Sequence, residues 1–200
     1  MRIIGGRLGG RLLIEPTPHI KRFLRPMREA VRAALFDILG DSVLKARFLD
    51  LFAGTGSIGL EALSRGAQWC VFVDSSEQAC QIIRENLKNL GLDTQASVYQ
   101  LDALKAIELF HRQGERFDLV FIGPPYGKGL AHKALMQLSD HPILAPGALV
   151  VTEIFKKEQT QTEYGLLRSF DVRTYGDNRL WFYRWEALEY NKSIKEGVAR

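Results

Sequence analysis

Two short stretches of this 200-residue chain hold residues whose types and spacing could act together on one ligand. In "DLFAGTGSIG", residues 50–59, Gly54, Gly56 and Gly59 form a G-x-G-x-x-G unit between an apolar run and a helical pattern. In that context glycines let the backbone approach a ligand closely and let the next helix pack near a sheet, and the ligand they suit is nucleotide-like. Asp74 lies twenty positions beyond Gly54 at the end of the next apolar run, where a carboxylate can accept from both hydroxyls of a ribose. The alternative is a strand-end Asp that caps the following helix. Asp102, after a third run, is placed either to accept from an adenine amino group or to cap the helix "ALKAIELF".

NAD and S-adenosyl-L-methionine (SAM) both suit these features, and Asp50 discriminates between them. It lies four positions before Gly54, where its carboxylate would meet the far end of the ligand. A pyrophosphate there would be repelled, whereas the ammonium and sulfonium of SAM would be attracted. With Phe52, Ala53, Thr55, Ser75 and Ala103 beside the residues already named, this is the expected SAM-binding set. The second stretch, "FDLVFIGPPYGKG", reads as a buried strand running into Gly123, Pro124, Pro125 and Tyr126. A rigid turn would account for it, but a dinucleotide site offers no reason for Pro-Pro-Tyr, so an NAD-linked oxidoreductase is the disfavoured alternative.

The elements needed to bring these stretches together are legible as apolar patterns. "REAVRAALFDILG" places Val31, Ala34, Leu35 and Ile38 at helical spacing with Gly40 as a stop. "RFLDLFAG", "WCVFVD", "ASVYQLDAL", "FDLVFIG" and "GALVVTEI" read as five strands, separated by helices over "GLEALSRGA", residues 75–90, 103–112 and 130–139. Ser75 with Gln78 forms a capping box for the second of these, which is expected to bury Ala79, Ile82, Ile83, Leu87 and Leu90. Continuous apolar strands alternating with helices indicate a doubly wound α/β fold with a parallel sheet covered on both faces. "FDVRTYGDNRLWFYRWE" departs from that alternation and reads as a hairpin around Gly176, Asp177 and Asn178.

Charge is unevenly spread. The net charge is +4, yet residues 1–32 carry eight Arg and Lys (Arg2, Arg7, Arg11, Lys21, Arg22, Arg25, Arg28, Arg32) against Glu15 and Glu29, a balance of +6, which leaves −2 for the remainder. A basic arm on a mildly acidic body suits a polyanionic partner, since guanidinium groups match phosphate geometry and release counterions; a solvated charged surface is the plainer account. No apolar run is long enough for a membrane span or a signal peptide, so a cytoplasmic protein is expected. Cys70 and Cys80 read as buried thiols, and no metal site is expected.

"FLDLFAGTGSIGLEALSRGA" resembles the SAM-binding segment of class I methyltransferases. Together with it, "IIGGRLGGRLL", "RPMREAVRAALFDIL", the Pro-Pro-Tyr loop and "YGDNRLWFY" resemble the bacterial small-subunit ribosomal RNA guanine-N2 methyltransferases over about residues 1–186. The resemblance implies a Rossmann-like fold with a mostly parallel seven-strand sheet, an antiparallel C-terminal hairpin and a small basic N-terminal β extension. It implies a division into an RNA-binding extension over residues 1–25, a methyltransferase domain over 26–188 and a tail over 189–200. It also implies SAM as methyl donor and, as substrate, a guanine of 16S ribosomal RNA in the small subunit or an assembly intermediate, met by a monomer. Arg2, Arg7, Arg11, Arg22, Arg25 and Arg28 are the RNA-binding candidates, with Arg25 and Arg28 nearest the target nucleotide.

In that family the loop after the fourth strand reads Asp-Pro-Pro followed by an aromatic, and here Gly123 holds the place of the Asp. The guanine amino nitrogen is a poor nucleophile because its lone pair is delocalised into the ring, so the site must orient it and offer acceptors as positive charge develops. Backbone carbonyls of the loop can do part of this, and Tyr126 can stack on a flipped base. Loss of a preorganised acceptor costs about a hundredfold or more in rate. Three outcomes follow for a chain with Gly123: catalysis with backbone acceptors alone, a weakened enzyme, or a protein that binds SAM and RNA without turnover.

Overall fold

The computed structural model describes residues 1–16 and 27–186; Arg22 and Arg25 lie outside the described residues. Helix α1 (Glu29–Leu39) precedes five strands separated by four helices: β1 (Arg47–Leu51), α2 (Ser57–Ser64), β2 (Trp69–Asp74), α3 (Glu77–Leu90), β3 (Ala96–Gln100), α4 (Ala103–Arg112), β4 (Phe117–Ile122), α5 (Leu130–Asp140) and β5 (Leu144–Phe155). Three further strands follow, β6 (Glu163–Tyr164), β7 (Leu167–Tyr175) and β8 (Asn178–Trp185). They form one sheet in the order β3-β2-β1-β4-β5-β8-β7-β6. β1 to β5 pair in parallel, and β8 pairs antiparallel with both β5 and β7.

The expected seven strands become eight because β6, only two residues long, adds to the outer edge of β7. The hairpin turns at Gly176 and Asp177, where Gly176 takes a φ of +62° that a tight turn requires. Because successive side chains alternate between faces, each strand feeds two cores. Phe48, Phe72, Phe121, Val151 and Phe182 pack under α1, α2 and α3 on one face, while Leu49, Val73, Val120, Ile122 and Val150 pack under α4 and α5 on the other.

Two helices differ in detail from their sequence patterns. In α1 the buried set is Val31, Arg32, Leu35, Phe36 and Leu39, with Ile38 36% exposed. The stripe is turned toward Arg32 because that guanidinium lies against the equally buried Glu61. In α3 the cap is Ser76, not Ser75: Ser76 Oγ accepts from Ala79 N at 3.3 Å while Asp74 Oδ1 accepts from Ser76 N at 2.8 Å. Its buried residues are Ala79, Cys80, Ile83, Asn86 and Leu87, with Ile82 and Leu90 only partly covered.

The N-terminal segment lies against the domain rather than standing free. Its β character is one antiparallel bridge, Arg2 with Leu12, and it inserts Ile3 and Leu13 into the core. Polar side chains of α2 and α3 hold its backbone. Glu61 Oε2 accepts from Ile4 N and Oε1 from Gly5 N, each at 2.8 Å, and Oε1 also accepts from Arg65 Nε. Ser64 Oγ donates to Gly5 O and accepts from Leu8 N, while the Asn86 amide both accepts from Ile14 N and donates to Ile14 O. Arg32 completes the cluster by donating to Arg2 O, with its Nε 3.6 Å from Glu61 Oε2. Burial pushes the Arg32 pKa down and Glu61 opposes that shift.

Removing one partner of a buried pair leaves an uncompensated charge, which costs about 3–5 kcal/mol. Glu61→Ala is therefore expected to lower unfolding free energy by about that amount in urea titrations, whereas Ser64→Ala, losing neutral hydrogen bonds, should cost about 1–2 kcal/mol. A Glu61→Ala variant as stable as the natural chain would show that the segment is held by its apolar residues alone.

Candidate active site

A cavity of about 810 Å³ opens at the carboxyl edge of the parallel strands. That size is within the range of about 300–1,000 Å³ usual for ligand sites. Asp50, Phe52, Ala53, Gly54, Thr55, Asp74, Ser75, Asp102 and Ala103 line it, and so do Gly123, Pro124, Pro125 and Tyr126. Thus residues of the two stretches, 50–59 and 117–129, face one space although they lie far apart in sequence. Gly56 and Gly59, expected among the binding residues, are not in its wall. Both are closely packed: a Cβ on Gly59 would lie 2.3 Å from Phe72 Cε1 and 2.6 Å from Cys70 Sγ, and one on Gly56 would lie 2.8 Å from Ile83 Cγ1.

The loop after β1 is shaped by its own hydrogen bonds. Phe52 N and Ala53 N both donate to Val73 O, and Phe52 adopts a φ of +77°, a left-handed conformation uncommon for a side chain of that bulk. Gly54 follows with a φ of +55° and no atom within 4 Å of a would-be Cβ, so its surface toward the cavity is open backbone.

Three carboxylates are spaced along this space. Asp74 uses Oδ2 to accept from Gly54 N and Oδ1 to accept from Ser76 N, each at 2.8 Å, which ties the glycine loop to the end of β2. Asp102 caps α4 through Oδ1 alone, accepting from Leu104 N and Lys105 N at 3.0 and 3.1 Å, while the residue still lines the cavity. Capping and ligand contact are therefore compatible at Asp102, while Asp74 supports the α3 cap by holding the Ser76 amide. Asp50 is almost wholly buried, 1% exposed, and accepts from Gly59 N at 3.0 Å. Burial pushes its carboxyl up to about 8; the Gly59 hydrogen bond opposes the shift and the nearby Asp74 charge adds to it.

At the other end, Tyr126 is half-buried rather than sealed, with its ring 6.1 Å from that of Phe155. Its hydroxyl donates to Glu153 Oε1 at 3.3 Å, and Asn178 Nδ2 donates to the same oxygen at 2.6 Å. Glu158 accepts from Gly127 N and from Phe155 N, pinning the far side of the loop. Glu153, Phe121 and Met27 also line the cavity and were not singled out in the sequence. A lone carboxylate within the apolar run "ALVVTEIF" was the available signal for Glu153, because buried acids are rare unless partnered. Lys128 lines the cavity as well, whereas the His132 ring meets Tyr164 Oη at 2.8 Å.

Among the described residues, the basic candidates Arg2, Arg7, Arg11 and Arg28 lie at different places. Arg7 donates to Gln95 Oε1 and Arg11 to Asn89 O, at the amino end of β3 and the carboxyl end of α3, the sheet edge away from the cavity. Those two lie away from the cavity. Arg28 is exposed next to Met27 in the cavity wall, and Arg2 lies 3.8 Å from Glu29.

A parallel sheet ending in a reversed hairpin, with a glycine loop after β1, an acidic residue at the end of β2 and another after β3, is the Rossmann-like fold of class I methyltransferases. An RNA methyltransferase from Salinibacter ruber, solved with S-adenosyl-L-homocysteine, shares that fold at a TM-score of 0.63 and 15% identity, over 84% of this chain and 97% of its own. Over residues 1–184 the chain matches the family described as Conserved hypothetical protein 95, and it belongs to that family. It is 35% identical over 153 residues to Ribosomal RNA small subunit methyltransferase D of Escherichia coli K12, covering 76% of this chain and 74% of that protein. The solved structure of yhhF from Escherichia coli superposes at a TM-score of 0.81 with 31% identity, covering 94% of this chain and 99% of that one.

The fold implies SAM, and the residues suit it. Asp50 is a buried carboxylate at the end of a cavity, held mainly in its neutral form by burial, and among the described residues no cation forms an ion pair with it. An ammonium or sulfonium beside it would restore its charge. The linkage has a definite sign. A carboxyl raised from 3.8 to about 8 by folding binds its proton more tightly in the folded chain, so its contribution to stability falls as pH rises from about 4 to 8. Asp50→Asn should therefore match the natural chain in Tm near pH 4 and exceed it at pH 8.5, by about 2–4 °C for each kcal/mol gained. The same substitution should weaken SAM binding by calorimetry and flatten its rise between pH 6 and 8. A SAM affinity that is independent of pH in the natural chain would rule out ionised Asp50 as the cation's partner.

Proposed function

We propose that the protein is a cytoplasmic methyltransferase that transfers a methyl group from SAM to N2 of one guanine in small-subunit ribosomal RNA. The observation that carries this reading is the single cavity shared by the glycine loop with its three carboxylates and by the Gly123–Tyr126 loop. The small-subunit activity named for the Escherichia coli relative supports the RNA class.

In this reading Asp102 uses Oδ2 for the adenine amine, Asp74 accepts from the nucleoside hydroxyls through the second lone pairs of oxygens that each already hold one backbone N–H, and Asp50 meets the amino-acid cation. SAM bound there supplies an activated methyl group on sulfur, so no covalent nucleophile is required of the protein. Tyr126 offers a ring face on which a flipped purine stacks. The carbonyls of Gly123 and Pro124 accept from the exocyclic amine and orient its nitrogen lone pair toward the methyl donor. Arg2 and Arg28, on the side of the cavity formed by the start of α1, meet RNA phosphates.

Small subunits purified from cells lacking this protein should accept radiolabelled methyl from SAM, and mass spectrometry of the RNA should place the label at N2 of one guanine. Absence of label with SAM bound tightly by calorimetry would instead support a binding protein without turnover, one of the three outcomes open to a chain with Gly123. Preference for NAD over SAM would overturn both.

A further inference from the structure

The missing side chain at position 123 has a neighbour able to replace it. β4 pairs with β5 in the register Phe121 with Val151 and Ile122 with Thr152, so the next row sets Gly123 beside Glu153. Residues paired across neighbouring strands project to the same face of a sheet. Glu153 therefore leaves β5 on the side where a residue at 123 would leave β4. That is also the face of Phe121, Val151 and Leu180.

A side chain at 123 would not enter open space. An ideal Cβ there lies 2.8 Å from Phe121 Cε1, and Phe121 is 4% exposed, with its ring held in the core that α1 to α3 cover. Phe121 and Gly123 thus form a matched pair in which the aromatic ring fills the volume beside a residue without a side chain.

Glu153 is itself well fixed. It is 7% exposed and lines the cavity beside Gly123 and Tyr126. Oε1 is clamped between Tyr126 Oη on the loop and Asn178 Nδ2 on β8. Holding a buried carboxylate at a cavity wall is costly unless donors satisfy it, and two donors from separate elements do so here. We propose that Glu153 supplies, from the adjacent strand, the carboxylate that accepts from the amino group being methylated and that Gly123 cannot provide. The proposal rests on the methyltransferase reading above. In the balanced step the amine nitrogen forms a bond to the methyl carbon, the sulfur–carbon pair leaves with sulfur as the neutral thioether, and one of the two amine protons passes to Glu153 and on to water.

The test uses the full chain with small subunits as substrate. Glu153→Gln keeps the shape and the acceptor toward Asn178 but removes the charge. It should lower kcat by about a hundredfold, the scale of losing one preorganised electrostatic partner, while SAM affinity by calorimetry stays within threefold of the natural chain. A second measurement is independent of turnover. Once the modified guanine is mapped, the natural chain should bind RNA carrying that guanosine about tenfold more tightly than RNA carrying inosine, which lacks the amine, and Glu153→Ala should erase the difference. Glu153→Gln turning over within threefold of the natural chain, or losing SAM affinity as much as rate, would overturn the assignment and leave the methyltransferase reading standing. A natural chain that transfers no methyl group would overturn both.

Discussion

The parallel register of β2, β1, β4 and β5 is the constraint from which the site follows. Val73, Leu51, Ile122 and Thr152 share one row across the sheet. One residue further along each strand, the chain reads Asp74, Phe52, Gly123 and Glu153. Parallel strands all end on the same edge, and their connections leave from it, so that row becomes the floor of a crevice. The carboxylate at the end of β2, the left-handed turn after β1, the side-chain-free position after β4 and the acid of β5 share a cavity because hydrogen-bonded ladders align them. A slip of one residue in any strand would turn its whole set of side chains to the opposite face.

Two close contacts keep that edge in order. The helix that follows the glycine loop approaches β2 so nearly that no side chain fits at Gly59, and this proximity brings the Gly59 amide within hydrogen-bond reach of Asp50. Asp74 performs the matching task one strand away by joining the glycine loop to the start of α3. Backbone amides thus hold two acidic residues at a ligand-facing wall, which keeps them in place without neutralising them permanently.

The basic N-terminal segment has a structural part as well as a charged one. Buried Glu61, Ser64 and Asn86 take up its backbone donors and acceptors, as an extended segment with few strand partners requires. Arg32, which contributes to the positive count of the first 32 residues, is spent inside this cluster against Glu61 and is absent from the surface. Among the described residues of the segment, Arg2 and Arg28 remain exposed near the start of α1, so one of the eight basic residues counted along the first 32 serves the interior rather than a surface.

Periodicity and local motifs were sufficient for the doubly wound fold, the reversed hairpin, the order of the elements and the two loops of the site, because each rests on neighbours in sequence: apolar alternation, a glycine turn, a proline pair. Other features arise between residues far apart in the chain. Ser76 rather than Ser75 caps α3 because Asp74 reaches the Ser76 amide; α1 turns its stripe toward Arg32 because Glu61 waits on α2; Gly56 and Gly59 are closely packed, crowded by Ile83, Phe72 and Cys70. The amino-acid order alone determined that a cofactor loop and a Pro-Pro-Tyr loop exist at strand ends. Only the folded sheet decided that Glu153 stands beside Gly123, because strand register is a property of pairing between segments and leaves no mark within either one.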